Sequence, residues 1–175
     1  MKLDYINIEG IPIGLYKDGP VGVGISGGAD SAILLYILMS NIKQPIHIYN
    51  MWSNYRKSAF KKSVDDVIEA CSKLTGNTNY HVHKMQIEPD ESIEFYFDML
   101  TAALDKKEVD VVYLGITNFP PSEVYLEFEQ QQETWHNKFR SDTVEHPVFG
   151  LTIEHLTLDD RAYVPLRNYN KKDVA

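Results

Sequence analysis

A single cysteine in 175 residues leaves this chain without an internal disulfide and without a cysteine-built zinc site. Cys71 falls on the apolar stripe of a helical pattern and reads as core packing. Long hydrophobic runs are missing as well. No stretch approaches the roughly 20 apolar residues that span a bilayer, and Met1-Lys2-Leu3-Asp4 lacks the charged-then-apolar order of a secretory leader. A cytoplasmic protein with no membrane contact is the expectation. Basic residues are outnumbered, 17 Lys and Arg against 25 Asp and Glu, for a net charge of -8. That balance disfavours an extended nucleic-acid surface, because neutralising phosphates takes clustered Lys and Arg. Internal repeats and low-complexity tracts are absent too. The 43% hydrophobic content that remains is that of an ordinary globular chain long enough to bury a core.

What is present is an alternation. Val21 to Ile25 reads as a strand, Ser31 to Ser40 as a helix apolar on nearly every side, and Pro45 to Tyr49 as a second strand. An amphipathic helix follows, with Phe60, Val64, Val67, Ile68, Cys71 and Leu74 on one face and Gly76 just past its end. Tyr80 to Met85 is a third strand. Ser92 to Lys106 is a third helix with Ile93, Phe97, Leu100 and Leu104 in register, and Val109 to Leu114 a fourth, near-continuously apolar strand. This order predicts an α/β, Rossmann-like protein: a parallel sheet in three layers, helices on both faces, ligands at the carboxyl ends of the strands. A single domain over residues 1–175 is expected. After Pro120 the pattern fades into a helix through Val124 to Gln132, then loops and short strands from Trp135 to Arg161. Asn170 is placed to cap a helix at Lys171, but the five residues after it are too few to sustain one. The chain reads as C-terminally truncated, or as completed by a partner.

The chemistry concentrates at the first strand-to-helix junction, Gly24-Ile25-Ser26-Gly27-Gly28-Ala29-Asp30-Ser31. Two adjacent glycines let the backbone turn tightly and aim N–H groups inward. The helix that starts there adds its positive end, so an anion is favoured. Ser26 and Ser31 supply hydroxyls. Asp30 would oppose a bare phosphate but suits a phosphate-bound Mg²⁺. The plain alternative is a turn in which Asp30 or Ser31 caps the helix. Gly22, Gly24 and Gly27 formally match the dinucleotide pattern G-x-G-x-x-G. The reading fails because Gly22 and Gly24 lie inside the strand, and because the second strand leads to Asn50-Met51-Trp52 rather than to an acidic residue. No Gly-Lys-Ser/Thr follows the loop, so the Walker pattern is absent.

Ser26-Gly27-Gly28-Ala29-Asp30-Ser31 resembles the SGGxDS signature of the PP-loop ATP pyrophosphatases, whose adenine nucleotide α-hydrolase fold is a parallel sheet between helices. Tyr113-Leu114-Gly115 resembles the family's glycine near the adenosine. Val164-Pro165-Leu166, followed by Lys171-Lys172-Asp173-Val174, resembles its Pro-Leu turn and downstream lysine. The resemblance implies ATP and Mg²⁺ as cofactors. The Gly27 and Gly28 amides, with the Ser26 and Ser31 hydroxyls, would hold the β and γ phosphates, and Asp30 the metal. Gly24, Ile25, Tyr49, Asn50 and Met51 would border adenine and ribose, and Gly115 would let the nucleotide approach. Lys171 or Lys172 would meet pyrophosphate, or else form a solvated helix start. The implied reaction is attack of a substrate oxygen on the α-phosphorus, then displacement of AMP by ammonia or another nucleophile. Deazaguanine synthases and asparagine synthetases are the most similar branches. The four-cysteine zinc site of the former is missing, and the chain has no room for the glutaminase domain of the latter. The nitrogen or sulfur donor would be free or brought by a partner. Thiolation or lysidine formation on tRNA is disfavoured by the acidic charge and scarce cysteine. A nucleotide-binding subunit without turnover is the alternative of another class. Relatives often dimerise, the one reason to expect a homodimer.

The acceptor is less legible. Asn118 and Glu123, after the fourth strand, read as substrate contacts or as a turn and a helix start. Arg56, Lys57, Lys61 and Lys62 read as an anion patch or a solvated helix face. His81 and His83 share one face of a strand, but without an evident third ligand a metal site is not expected there. His136, His146 and His155 are scattered.

Overall fold

The computed structural model describes residues 2–53, 59–87, 94–115, 161–163 and 165–166. The helix expected at Val124–Gln132, together with Arg56, Lys57, Asn118, Glu123, Asn170, Lys171 and Lys172, lies outside them. So do His136, His146 and His155.

The chain opens with a hairpin that the periodicity reading above did not include. β1 (Asp4–Ile8) pairs antiparallel with β2 (Ile11–Leu15). The two turn residues, Glu9 and Gly10, both have positive φ, 49° and 92°, the backbone that a two-residue turn needs to match the strands' twist. Asn7 Oδ1 accepts the Gly10 N–H at 2.8 Å and steadies the turn. Ile11, Ile13 and Leu15 alternate inward and join the core.

Among the described residues, five strands then form a parallel sheet in the order β5-β4-β3-β6-β7. They are β3 (Val21–Gly24), β4 (Ile46–Ser53), β5 (Tyr80–Ile87), β6 (Val111–Leu114) and the short β7 (Ala162–Tyr163). Between them run α1 (Ala29–Asn41), α2 (Ala59–Thr75) and α3 (Glu94–Asp105). The α/β architecture is therefore as expected, with strand β7 added.

Side-chain parity divides the sheet into two faces. Val21, Val23, Ile46, Ile48, Val111 and Tyr113 point to the side of α1, α2 and the hairpin, where they merge with Leu34, Leu35, Leu38, Val64 and Ile68. Tyr49, Val112 and Leu114 point to the other side, where Leu100, Ala103 and Leu104 of α3 meet them. Helix α1 buries Ser31, Leu34, Leu35, Ile37, Leu38 and Met39, a wide apolar face that leaves Tyr36 and Ser40 exposed. Cys71 is buried as anticipated, and burial pushes its thiol up. Leu74 departs from the expected stripe and is 75% exposed. Gly76, at φ 69°, ends α2 by donating its N–H to the Ser72 carbonyl at 2.9 Å, as a left-handed residue after a helix does.

Two tyrosines fasten the hairpin. Tyr113 Oη accepts the Tyr16 N–H at 2.7 Å and donates to the Gly14 carbonyl at 3.1 Å, while Tyr163 Oη accepts the Gly14 N–H at 3.1 Å. Pro165 and Leu166 form a buried turn after β7, with Leu166 in the same core.

Candidate functional site

β3 is flanked by β4 and β6, so whatever follows its carboxyl end emerges in the middle of the sheet. Ile25 extends the pairing by donating its N–H to the Tyr49 carbonyl at 2.9 Å. The chain then turns through Ser26, Gly27 and Gly28 and enters α1 at Ala29. Gly27 has φ 84°, the left-handed conformation that glycine adopts at no steric cost. Gly28 is the N-cap, extended and without a side-chain cap. The plain alternative, capping by Asp30 or Ser31, is thus not what the helix uses. The amino end of α1 opens at this turn, where an anion gains from the helix dipole.

The two serines close on each other across this turn. Ser31 Oγ donates to the Gly28 carbonyl at 3.0 Å, and the Ser26 and Ser31 hydroxyl oxygens are 3.3 Å apart. Ser31 Oγ also accepts the Ser26 N–H, and Ser26 Oγ the Gly28 N–H, both at 3.3 Å. These long bonds suit groups that hold the loop in shape and exchange for a ligand's oxygens. Ser31 is buried at 4% exposure; Ser26 faces solvent and Asp30 is half-buried beside it. Two serine hydroxyls and a carboxylate are hard oxygen donors, the chemistry that Mg²⁺ takes.

Two of the other expected contacts, Asn50 and Gly115, hold the loop's surroundings. Asn50, 2% exposed, donates its side-chain amide to the Ile25 carbonyl at 2.8 Å, locking the end of β3 to β4. Gly115 stands at the end of β6, where a Cβ would lie 2.7 Å from Ser31 Cα and 2.9 Å from the Asp30 carbonyl oxygen. The backbone that needs its missing side chain is therefore that of α1. Tyr49 sends its ring into the α3-side cluster, 1% exposed and over Gly22, and burial pushes its phenol up to about 12. Gly24 ends β3 and, like Ile25, is buried. Met51 continues β4 opposite Met85. Gly24 to Ser31, Asn50 and Gly115 are thus gathered at one edge, while the Tyr49 ring belongs to the core.

A second group of polar side chains sits away from this edge. His47, near the start of β4, lies opposite His81 of β5. His47 Nδ1 and His83 Nε2 are 3.0 Å apart. Burial first, then His83 and His81, push His47 below the ordinary imidazole range, against an opposite pull from Glu108. His47 was not singled out in the sequence; its only signal is its parity with His81 and His83 once β4 and β5 are paired.

No family model matches the chain, and no curated protein matches it. Among the solved structures that do match is that of an NMN synthetase from Francisella tularensis, with a TM-score of 0.39 and 14% identity over 67% of this chain and 63% of that one. This chain thus spans less than two thirds of that protein's length, and the functional reading rests on its own residues. No helix among the described residues is long and apolar enough to cross a membrane.

Proposed function

We propose that this protein binds ATP at the Ser26–Ser31 loop and cleaves it between the α and β phosphates, transferring the adenylyl group to an oxygen of a small acceptor. The observation that carries the proposal is the junction itself. A glycine-rich turn leaves the central strand β3 and delivers α1's amino end, two serine hydroxyls and one carboxylate to a single place. SGGxDS at that position is the motif of the PP-loop ATP pyrophosphatases, which the chain resembles.

On this reading the amides of Gly27, Gly28 and the first turn of α1 bind the β and γ phosphates, and the serine hydroxyls orient them. The acceptor oxygen forms a bond to the α-phosphorus, the bond from that phosphorus to the bridging oxygen breaks, and pyrophosphate leaves carrying both electrons of the broken bond. The loop amides hold the charge that develops there, which is the electrostatic share of the catalysis. Asp30 and the serine hydroxyls would hold Mg²⁺, which supplies neutralising charge on the leaving group. Ammonia or another nucleophile then displaces AMP from the acceptor. Asn50 and Gly115 position the loop without touching the reacting atoms. A carboxylate or carbonyl acceptor, ammonia or a sulfur carrier as donor, and a cytoplasmic setting complete the proposal.

Titration calorimetry with a non-hydrolysable ATP analogue and Mg²⁺ tests the binding half. The wild type should take one nucleotide per chain, and Gly28→Asp, which puts a carboxylate among the loop amides, should weaken binding by about a hundredfold. Equal affinity in the two proteins would move the nucleotide elsewhere or dismiss it.

A further inference from the structure

His81 and His83 have no third ligand along the sequence, but the sheet brings one. With β4 and β5 parallel, His47 stands opposite His81 and Tyr49 opposite His83. All four side chains therefore project from the α3 side of the sheet. His47 and His83 stack with ring centroids 5.1 Å apart and planes 12° apart. Their facing nitrogens are 3.0 Å apart. Tyr49, itself buried, stacks on His83 at 4.6 Å and limits where that ring can go. The His81 ring lies 5.1 Å from that of His47, tilted by 50°, and His81 is exposed.

We propose that His47, His81 and His83 form a site for one divalent transition-metal ion of the zinc, nickel or copper class, with a coordination position left to solvent. Three neutral imidazoles are the donor set these ions prefer, and magnesium or calcium would not choose it. Metal–imidazole bonds are about 2.0–2.1 Å long, so two ligand nitrogens sit about 2.9 Å apart at a right angle and about 3.4 Å apart in a tetrahedron. The His47–His83 separation of 3.0 Å falls within that span. No group of three or more His, Cys, Asp or Glu among the described residues is set to hold a metal ion as it stands. The His47 and His83 nitrogens already stand at a chelating separation; the two rings turn toward the ion as it enters, and the third ligand comes by rotation of exposed His81 between staggered rotamers. The one proton shared between His47 and His83 moves to the outer nitrogen of the ring that donates it as the ion replaces their hydrogen bond. Glu108 adds a negative field at His47 that favours a cation. His47 lies near the start of β4, whereas the phosphate loop lies at the strands' carboxyl ends, so the two sites are separate.

The test uses the untagged full chain, stripped with a chelator and titrated with Zn²⁺, Ni²⁺ or Cu²⁺ alone. Calorimetry gives the stoichiometry, and copper electron paramagnetic resonance reports the bound nitrogens. One ion per chain with imidazole nitrogen couplings is expected. H81Q, at an exposed position that leaves the fold intact, should weaken binding by about tenfold or more, and H83Q by about a hundredfold. Circular dichroism confirms that each variant is folded. A control carrying His136→Gln, His146→Gln and His155→Gln should bind as the wild type does. The proposal is overturned if H81Q and H83Q retain full affinity, if the control loses it, or if no ion binds in the micromolar range. Pyrophosphate release is not a readout here, so failure of this site and failure of the ATP reading are distinguishable.

Discussion

The two faces of the sheet are built differently. On the side of α1, α2 and the hairpin, isoleucine, leucine and valine from three strands, two helices and β2 interlock, and Ile13, Leu34, Leu35 and Ile48 have no exposed surface. On the α3 side the apolar cluster is smaller among the described residues, and beyond Tyr49, over β4 and β5, it gives way to the three histidines. The first face carries stability, because it removes apolar area from water on all sides. The second leaves three imidazoles within reach of solvent. The Ser26–Ser31 loop lies at the carboxyl edge of the sheet and leads into α1, which packs in the first face.

Ile48→Ala breaks the comparison most severely if the closed face is what holds the fold. Urea unfolding should show a loss of about 2–5 kcal/mol, the cost of deleting a fully buried aliphatic side chain. Gly115→Ala comes next, since its Cβ would meet backbone of α1 rather than a side chain that can swing away. A loss of about 1–3 kcal/mol is expected, and nucleotide binding should fall with it because the start of α1 must shift. Tyr113→Phe leaves the Tyr16 N–H and the Gly14 carbonyl without their shared hydroxyl. It should cost about 1–3 kcal/mol, with hydrogen exchange rising first in β1 and β2. His81→Gln on the open face should change stability by less than about 0.5 kcal/mol. A loss as large as that of Ile48→Ala would erase the distinction.

A further effect is a pH dependence that shows only in alkaline solution. The Tyr49 phenol ionises at about 12 in the fold and near 10.0 when unfolded. The unfolded chain therefore gives up this proton first as pH rises. Stability from Tyr49 is complete below about pH 10 and declines between about 10 and 12. A tyrosinate absorbance titration should show Tyr49 lagging the exposed tyrosines, a lag that the Tyr49→Phe variant lacks.

Much of this was legible in the residues, for physical reasons. The alternation of short apolar runs with helical stripes is a direct trace of a sheet covered on both sides, and the turn glycines with their serines stand between two such runs. The hairpin was harder. Its strands have five residues each, Pro12 and Asn7 interrupt the pattern, and Glu9-Gly10 is a weaker turn signal than Asn-Gly. Its attachment rests on tyrosine hydroxyls 97 to 149 residues away along the chain, a distance over which local pattern says nothing. Gly115 is legible as the end of an apolar strand, but its close neighbour is the α1 backbone, which only the pairing of β6 beside β3 brings near. His47 acquired meaning only when β4 and β5 were in register.

The central claim is which phosphate bond is broken. ATP labelled at the α-phosphorus, incubated with Mg²⁺, a panel of carboxylate acceptors and ammonia, distinguishes the outcomes by product. The account predicts AMP and pyrophosphate in equal amounts, dependent on an acceptor and reduced by about a hundredfold or more in Asp30→Ala. ADP and inorganic phosphate, or AMP formation unaffected by Asp30→Ala, would contradict it.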